Sequence, residues 1–261
     1  KSIERRFDEK KGKFKTEIVV EDMRSIASFF SLSSAEGGWR VIIIDSADEM
    51  NSNAANALLK ALEEPPAKVI LLLVCHNHGR LLPTIRSRCR KLGLSALNEG
   101  VVVKLLLNHY PEMLAGDALL LAQLSGGSIG RALDLEAEGG LELYNNLLSL
   151  LETLPDTDVA ALHVLAGKLG RVGGDMAFHT FGDLLLGWLG RFILHATKAE
   201  QGGNSQETLL NKRLSSITPL ASWLEVWDKI SYLLARTDSI NLDRRQIIIS
   251  IFLLLEKTVQ D

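Results

Sequence analysis

Acidic and polar side chains follow two apolar runs of this sequence, in positions where they could bind a phosphate group. Asp45 comes directly after the run Val41–Ile44, and His76-Asn77-His78 lies just beyond the run Val69–Val74. A carboxylate at the end of a strand can hold a magnesium ion against nucleotide phosphates. A polar side chain such as that of Asn77 can orient water or a phosphate oxygen. These residue types therefore point to nucleotide-phosphate chemistry.

A second candidate is Arg88, the central residue of a Ser-Arg-Cys tripeptide. The guanidinium group is planar and always charged, so it can contact two phosphate oxygens at once. Arg86 and Arg90 alternate with Arg88, and we interpret them as solvated or supporting side chains. Residue type alone leaves a surface or core-capping arginine as the alternative for Arg88.

The apolar runs and the pattern between them predict the elements that position these side chains. Unbroken Val/Ile/Leu runs suit strands that are buried on both faces of a parallel sheet. The range Asn51–Glu64 has the apolar spacing of an amphipathic helix, with Asn51 or Ser52 as N-cap and Pro65 ending it. Strand, helix and strand form a βαβ unit, and ligands bind at the carboxyl ends of such strands.

The rest of the chain is predicted to be mainly helical. Glu21–Phe30 has helical spacing, and Leu92–Leu94 is predicted to form a last short strand. Further helices are predicted at Asn98–His109, Asp117–Leu124, Ser128–Glu138, Leu141–Leu154, Val159–Arg171, Met176–Ala196, Pro219–Arg236 and Ile240–Val259. Gly139-Gly140 is a predicted boundary, and Gln201–Ser205 a predicted loop. Three tryptophans are interpreted as helix-packing residues: Trp188, Trp223 and Trp227.

Composition indicates a globular protein whose charge is unevenly distributed. Of the 261 residues, 46% are hydrophobic and 23% are charged, and the formal net charge is −3. Residues 1–91 carry 16 Lys/Arg against 12 Asp/Glu, and the remainder carries 13 against 20. The basic half could face nucleotide or DNA phosphates, although we interpret most of these side chains as solvated surface. No apolar run approaches the ~18 residues of a membrane span, so no membrane partner is expected.

The two cysteines, Cys75 and Cys89, indicate no disulfide framework and fit a reducing cytoplasm. His76 and His78 lie near Cys75, but the spacing is not that of a zinc finger. We therefore predict no metal site and interpret the thiols as small buried side chains.

Two segments resemble signature segments of the clamp-loader branch of the AAA+ ATPases. They are Asn53–Pro66, with the sequence NAANALLKALEEPP, and Leu82–Cys89, with the sequence LPTIRSRC. Helix, double proline, strand and Ser-Arg-Cys occur in the family's order and spacing. The resemblance is weaker from there to Leu133, and beyond Leu133 it is limited to length and helical character.

The resemblance implies a fold with three parts. A partial AAA+ α/β core with a parallel sheet would occupy residues 1–95. A small helical lid would follow over residues 96–140, and an all-α C-terminal collar domain would occupy residues 141–261.

The resemblance also implies roles for single residues. Arg88 matches the family's arginine finger, which acts in trans on the nucleotide site of a neighbouring subunit. Asp45 matches the Walker B aspartate, and Arg131 matches the second sensor arginine. The first sensor position falls on His76 or Asn77, and Asn77 is the better match because the family more often has a threonine or asparagine there. Arg131 also stands at the start of a predicted helix, so a purely structural role is the alternative for it.

The sequence departs from the hydrolytic pattern of this family. Hydrolysing members carry a glutamate after the Walker B aspartate, whereas Ser46 follows Asp45 here. A serine hydroxyl cannot act as a base at neutral pH without an activating partner. Asp48 or Glu49 could serve as a displaced acid. No GxxxxGK[ST] phosphate loop occurs in these 261 residues. We therefore expect no cofactor bound by this chain, with ATP and magnesium in neighbouring subunits.

The function implied is that of a non-hydrolysing clamp-loader subunit of the bacterial replicative polymerase, DNA polymerase III. It would have no catalysis of its own but would supply Arg88 to a neighbouring ATP site. Its partners would be the gamma/tau and delta subunits, with the sliding clamp contacted indirectly and primed DNA bound within the complex. Two alternatives stay open: an ATP-hydrolysing gamma/tau-type subunit whose phosphate loop was cut away, and an AAA+-derived adaptor outside replication.

Overall fold

The chain divides between Leu94 and Ser95 into two units. The computed structural model describes residues 2–3, 7–8, 13–14, 17–23, 38–171, 173–198, 205–237 and 242–260.

The first unit contains the predicted βαβ arrangement. Its described strands are β1 (Ser2–Ile3), β2 (Phe7–Asp8), β3 (Lys13–Phe14), β4 (Arg40–Ile44) and β5 (Val69–Leu73). Strands β1, β4 and β5 form a parallel sheet in the order β1-β4-β5, whereas β2 and β3 pair antiparallel with each other. In the β4–β5 pair, Arg40 lies opposite Val69 and Ile44 lies opposite Leu73. The prediction of two parallel strands joined by a helix is confirmed.

Helix α1 (Ser52–Glu63) connects β4 to β5, and the short helix α2 (Pro83–Arg86) follows β5. Asn51 is the N-cap of α1, since its Oδ1 accepts a hydrogen bond of 2.9 Å from the Ala54 N–H. The helix ends two residues before Pro65, as predicted, because the residue before a proline avoids helical angles. Ala54, Ala55 and Leu58 of α1 enter the core of this unit.

The sheet is buried on one face rather than on both, and this corrects the prediction. Ile42 and Ile44 are fully buried, whereas Val41 and Ile43 are each 38% exposed and Leu72 is 48% exposed. Successive strand residues point to opposite faces. Within the described part of the unit, the helical residues that complete the core pack on the face of Ile42 and Ile44.

A second correction concerns Leu92–Leu94, which forms no strand. Leu92 is 83% exposed and Leu94 is 89% exposed. A strand needs a hydrogen-bonded neighbour, and none of the described strands pairs with Leu92-Gly93-Leu94. Of the predicted helix Glu21–Phe30, positions 21–23 are helical and the remainder lies outside the described residues.

The second unit is helical throughout its described part. Its helices are α3 (Glu99–His109), α4 (Ala115–Leu124), α5 (Ile129–Ala137), α6 (Gly140–Glu152), α7 (Val159–Leu169), α8 (Asp175–Lys198), α9 (Ser205–Ile217), α10 (Leu220–Thr237) and α11 (Arg244–Gln260). The eight helices predicted for this region are confirmed with shifted ends. No described helix is long and apolar enough to cross a membrane.

One hydrophobic core runs through this unit. It includes residues on both sides of Gly139-Gly140, such as Leu135 of α5 and Leu143 of α6. The core is therefore continuous where the sequence suggested a boundary. The division of this unit into a lid (residues 96–140) and a collar (residues 141–261) stays a prediction.

Aromatic rings form the centre of the helical core. Trp188 and Trp223 are fully buried, and Phe192 stacks on Trp188 with ring centroids 5.5 Å apart. Phe192 also meets Trp223 edge-on at 4.9 Å. The packing role predicted for Trp188 and Trp223 is confirmed, whereas Trp227 is 37% exposed.

Helix α9 is absent from the sequence-based prediction because it is polar and weakly amphipathic. Tertiary contacts stabilise it instead. Glu207 of α9 is buried, and its carboxylate accepts hydrogen bonds from the Tyr144 hydroxyl at 2.5 Å and from Arg191 Nε at 3.2 Å. Arg191 Nη2 also donates to the Tyr144 oxygen at 2.9 Å. This group of three joins α6, α8 and α9, and it supplies partners for the buried charge of Glu207, which would be costly to bury alone.

We predict that Tyr144→Phe lowers the free energy of unfolding by about 1–3 kcal/mol near neutral pH, since it removes hydrogen bonds to charged partners. Burial, together with the Glu207 charge, raises the pKa of Tyr144 above its ordinary value. The native protein therefore keeps this proton when the unfolded chain loses it. The stability advantage of the wild type is complete below about pH 10 and falls as the pH rises further.

Urea unfolding of both proteins between about pH 7 and pH 11 measures this difference. The control is Tyr232→Phe, because Tyr232 is 59% exposed. That change should alter stability by less than about 0.5 kcal/mol. A gap between wild type and Tyr144→Phe that widens above about pH 10 would contradict the assignment.

Candidate functional site

The carboxyl edge of the parallel sheet holds the first candidate, Asp45. Its backbone N–H donates to the Ile3 carbonyl at 2.8 Å, which extends the sheet by one residue beyond β4. The Asp45 residue is exposed. Ser46, the next residue, has a left-handed backbone with φ of 54°, so the chain turns sharply away from the strand direction directly after Asp45. A single exposed carboxylate therefore marks this position.

Asp48 has a structural role that the sequence did not reveal. Its Oδ1 accepts from the His76 N–H at 3.1 Å and its Oδ2 accepts from the Asn77 N–H at 3.0 Å. Burial acts to raise the pKa of Asp48, but these backbone hydrogen bonds outweigh it and the pKa is lowered. The ionised carboxylate of Asp48 thus joins the turn after β4 to the loop after β5.

Asn77 lies at the same edge of the sheet as Asp45, because both follow neighbouring parallel strands. Its side-chain Oδ1 accepts from the Gly79 N–H at 3.1 Å, which closes a local turn. The residue is exposed. The side chain predicted as a sensor therefore shapes its own loop.

Arg88 follows α2, which the fully buried side chain of Ile85 anchors to the core. Arg88 Nη2 forms an ion pair with Glu63 Oε1 at 2.6 Å, and Nη1 donates to the Thr84 carbonyl at 3.0 Å. The Arg88 side chain remains 36% exposed. Glu63, the last residue of α1, is a partner that sequence reasoning missed, although its place before the double proline puts it at a helix end.

The two thiols show no sign of activation. Burial raises the pKa of Cys89, and burial with the nearby charge of Asp48 raises that of Cys75. A thiol must lose its proton to serve as a metal ligand. The absence of a metal site at these cysteines stays our prediction.

Arg131 lies in the second unit, at the start of α5. Ser128 caps this helix, since its hydroxyl accepts from the Arg131 N–H at 3.3 Å. The guanidinium forms an ion pair with Asp183 of α8 at 2.7 Å. Both side chains line a cleft of about 200 Å³, together with Arg191. Like Arg88, Arg131 is paired with a carboxylate of its own chain.

Comparison with known proteins indicates the class of protein that this arrangement resembles. Residues 5–98 match the family described as DNA polymerase III, delta subunit. That range contains Asp45, Asn77, the Arg88 ion pair and strands β4 and β5 of the parallel sheet.

The particular relatives are delta-prime and tau subunits. The delta-prime subunit of DNA polymerase III from Pseudomonas aeruginosa is 34% identical over 178 residues, which are 68% of this chain and 54% of that protein. The tau subunit from Escherichia coli is 33% identical over 156 residues, which are 55% of this chain and 24% of that protein. The chain spans about half the length of the delta-prime relative. The resemblance predicted from the sequence is confirmed: this chain is similar to the delta-prime clamp-loader subunits.

A solved structure of a DNA polymerase III gamma subunit-related protein from Thermotoga maritima is 22% identical and aligns over 99% of this chain and 83% of its own. Its TM-score of 0.43 does not by itself define a shared fold.

Proposed function

We propose that this chain is a non-hydrolysing, delta-prime-type subunit of a bacterial clamp loader, with an AAA+ core, that provides Arg88 to the ATP site of a neighbouring subunit. The observation that carries this proposal is the position of Arg88. It follows a helix anchored by Ile85, inside the segment that matches the family, with over a third of its side chain exposed. An exposed guanidinium on a rigid support can stabilise charge that develops on a phosphate outside its own chain.

The edge of the sheet supports the non-hydrolysing part of the proposal. Asp45 offers one carboxylate that could hold a cation, but Ser46 occupies the position where a water-activating acid would stand. Asp48 is a poor replacement, because both of its oxygens already accept backbone hydrogen bonds. Catalysis would therefore belong to the neighbouring subunit, which would also hold ATP and magnesium.

We predict that the purified chain alone hydrolyses no ATP above a buffer blank in the presence of magnesium. Steady-state release of inorganic phosphate measures this. Asp45→Ala is the matched variant, since it removes the only described carboxylate that directly follows a strand of the parallel sheet. Turnover that the wild type shows and Asp45→Ala loses would contradict the proposal and favour a working site.

The helical unit is proposed to carry assembly with gamma/tau and delta subunits. Apolar burial between helices can supply the free energy for such contacts. A deletion from residue 141 onward would be a poor test, because it would cut through the continuous core. The full chain should instead be mixed with purified tau and delta subunits and analysed by gel filtration. Co-elution as one complex is the expected result, and a separate assay should show that this complex loads a clamp onto primed DNA. Separate elution would contradict the proposal.

A second candidate is an ATP-hydrolysing gamma/tau-type subunit, which the 33% identity to a tau subunit favours. The Asp45→Ala comparison separates the two candidates. Location in the cytoplasm follows from either, since both would act on DNA as parts of the replicative polymerase.

A further inference from the structure

In this structure the Arg88 guanidinium is paired with Glu63, although the proposed function requires the same guanidinium to contact a phosphate of a neighbouring subunit. Arg88 Nη2 lies 2.6 Å from Glu63 Oε1. On the other side of the guanidinium, Nη1 donates to the Thr84 carbonyl at 3.0 Å and lies 3.5 Å from Ser87 Oγ. Both terminal nitrogens are thus engaged by Arg88's own chain.

We propose that Glu63 is a positioning residue that holds Arg88 in a withdrawn, charge-neutralised state, and that Arg88 must leave Glu63 to contact a phosphate of the neighbouring subunit. This inference rests on the proposed function and adds that Glu63 regulates the same arginine. Arg88 would be the group that touches the nucleotide, and Glu63 would act only through it.

Electrostatics favours displacement of Glu63 over a shared complex. A phosphate that binds to Arg88 while Glu63 stays in place brings two negative groups to the same guanidinium, and like charges so close repel each other. A carboxylate beside the arginine also cancels the positive charge that stabilises phosphoryl transfer. The Thr84 carbonyl is uncharged, so its hydrogen bond can persist and keep the side chain oriented.

The ion pair is weak enough to open during each cycle. The side chains of Arg88 and Glu63 are 36% and 49% exposed, and pairs with this much exposure contribute little because water screens them. Glu63 also stands at the carboxyl end of α1, where a negative charge is disfavoured by the helix dipole. A multiply charged phosphate can therefore replace the carboxylate.

Glu64 offers a matched control. It carries the same charge one residue further along the chain, its side chain is exposed, and no described ion pair joins it to Arg88. Glu63→Gln and Glu64→Gln change the net charge equally, so an effect limited to Glu63→Gln reports on the contact rather than on the general field.

The test uses the complex assembled with tau and delta subunits, with ATP turnover measured for five forms: wild type, Glu63→Gln, Glu64→Gln, Arg88→Ala and the double variant Glu63→Gln/Arg88→Ala. Glu63→Gln should raise kcat by about two- to five-fold, the range expected for release of an exposed ion pair, and leave the KM for ATP unchanged. Glu64→Gln should match wild type. In the Arg88→Ala background, Glu63→Gln should have no effect.

A second measurement on the full chain alone examines the contact without any ATPase. Side-chain ¹⁵N spectra of arginine should show faster rotation of the Arg88 guanidinium in Glu63→Gln than in wild type or Glu64→Gln. Identical Arg88 signals in all three proteins would overturn the proposal.

The outcomes separate the two levels of inference. If Arg88→Ala lowers turnover but Glu63→Gln lowers it too or leaves it unchanged, Glu63 is no restraint and only this inference fails. If Arg88→Ala leaves turnover unchanged, the proposed function fails and the role of Glu63 fails with it.

Discussion

Arg88→Ala is expected to lower ATP turnover by the assembled clamp loader by about 10- to 1,000-fold while the chain itself stays folded. Removal of an arginine finger costs on the order of 10³–10⁵ in rate in well-studied nucleotide hydrolases. A ring with further intact sites would lose less. The melting temperature should change little, because the ion pair that Arg88 makes with Glu63 is exposed and contributes about 0–1 kcal/mol.

The conservative variant and the neighbouring arginines sharpen this test. Arg88→Lys should rescue poorly, because an ammonium group cannot reproduce the planar contact with two phosphate oxygens. Arg86→Ala and Arg90→Ala are the controls, since both residues are exposed and flank Arg88 on the same segment. Their turnover should stay within about two-fold of wild type.

The measurements are ATP turnover of the reconstituted complex and thermal melting of each variant. A loss of melting temperature in Arg88→Ala with unchanged turnover would assign Arg88 to the stability of the fold and contradict the finger role.

Gly127→Ala is expected to destabilise the helical unit by about 2–4 kcal/mol, since it combines backbone strain with a steric clash. Gly127 is buried and has a φ of +82°, and a Cβ there would lie 2.5 Å from the Leu97 carbonyl oxygen. The Leu97 N–H in turn donates to the Gly127 carbonyl at 2.9 Å, so neither backbone can move without loss of that hydrogen bond.

The adjacent Gly126 separates strain from clash. Its φ is +59°, but no heavy atom would lie within 4 Å of a Cβ at this position. Gly126→Ala should therefore cost only about 1–2 kcal/mol, the strain of a left-handed backbone for alanine. Chemical unfolding followed by tryptophan fluorescence compares the two variants, because Trp188 and Trp223 are buried in the same unit. Equal losses would show that the contact with Leu97 has no energetic weight.

Local signals in the sequence are sufficient to predict most elements. Asn51 is one of the two predicted N-caps of α1, and its side chain accepts a hydrogen bond at the start of that helix. Pro65 marks the end of α1, and two Val/Ile/Leu runs locate β4 and β5. Such signals succeed because capping, proline geometry and apolar spacing depend on residues within a few positions of one another.

Elements that depend on distant partners cannot be found in this way. Helix α9 needs Tyr144 and Arg191, which lie far away in the chain, to satisfy the buried charge of Glu207. The segment Leu92-Gly93-Leu94 has two apolar residues in alternation but lacks a described neighbour to pair with. The alternation of exposure along β4 depends on which face the helices cover, and an unbroken apolar run does not encode that choice.

In the candidate site, too, residue identities could be predicted from the sequence, whereas contacts between distant residues could not. Residue type at a strand end indicated that Asp45 could act, whereas the roles predicted for Ser46 and Arg88 are implied by the resemblance to the AAA+ family. The contacts of these groups became known only from the folded chain. Asp48 closes over two backbone N–H groups 28 and 29 residues away, and Glu63 reaches Arg88 across the interface between α1 and α2. Hydrogen bonds and ion pairs depend on distances of a few ångströms, which chain folding sets and residue spacing does not.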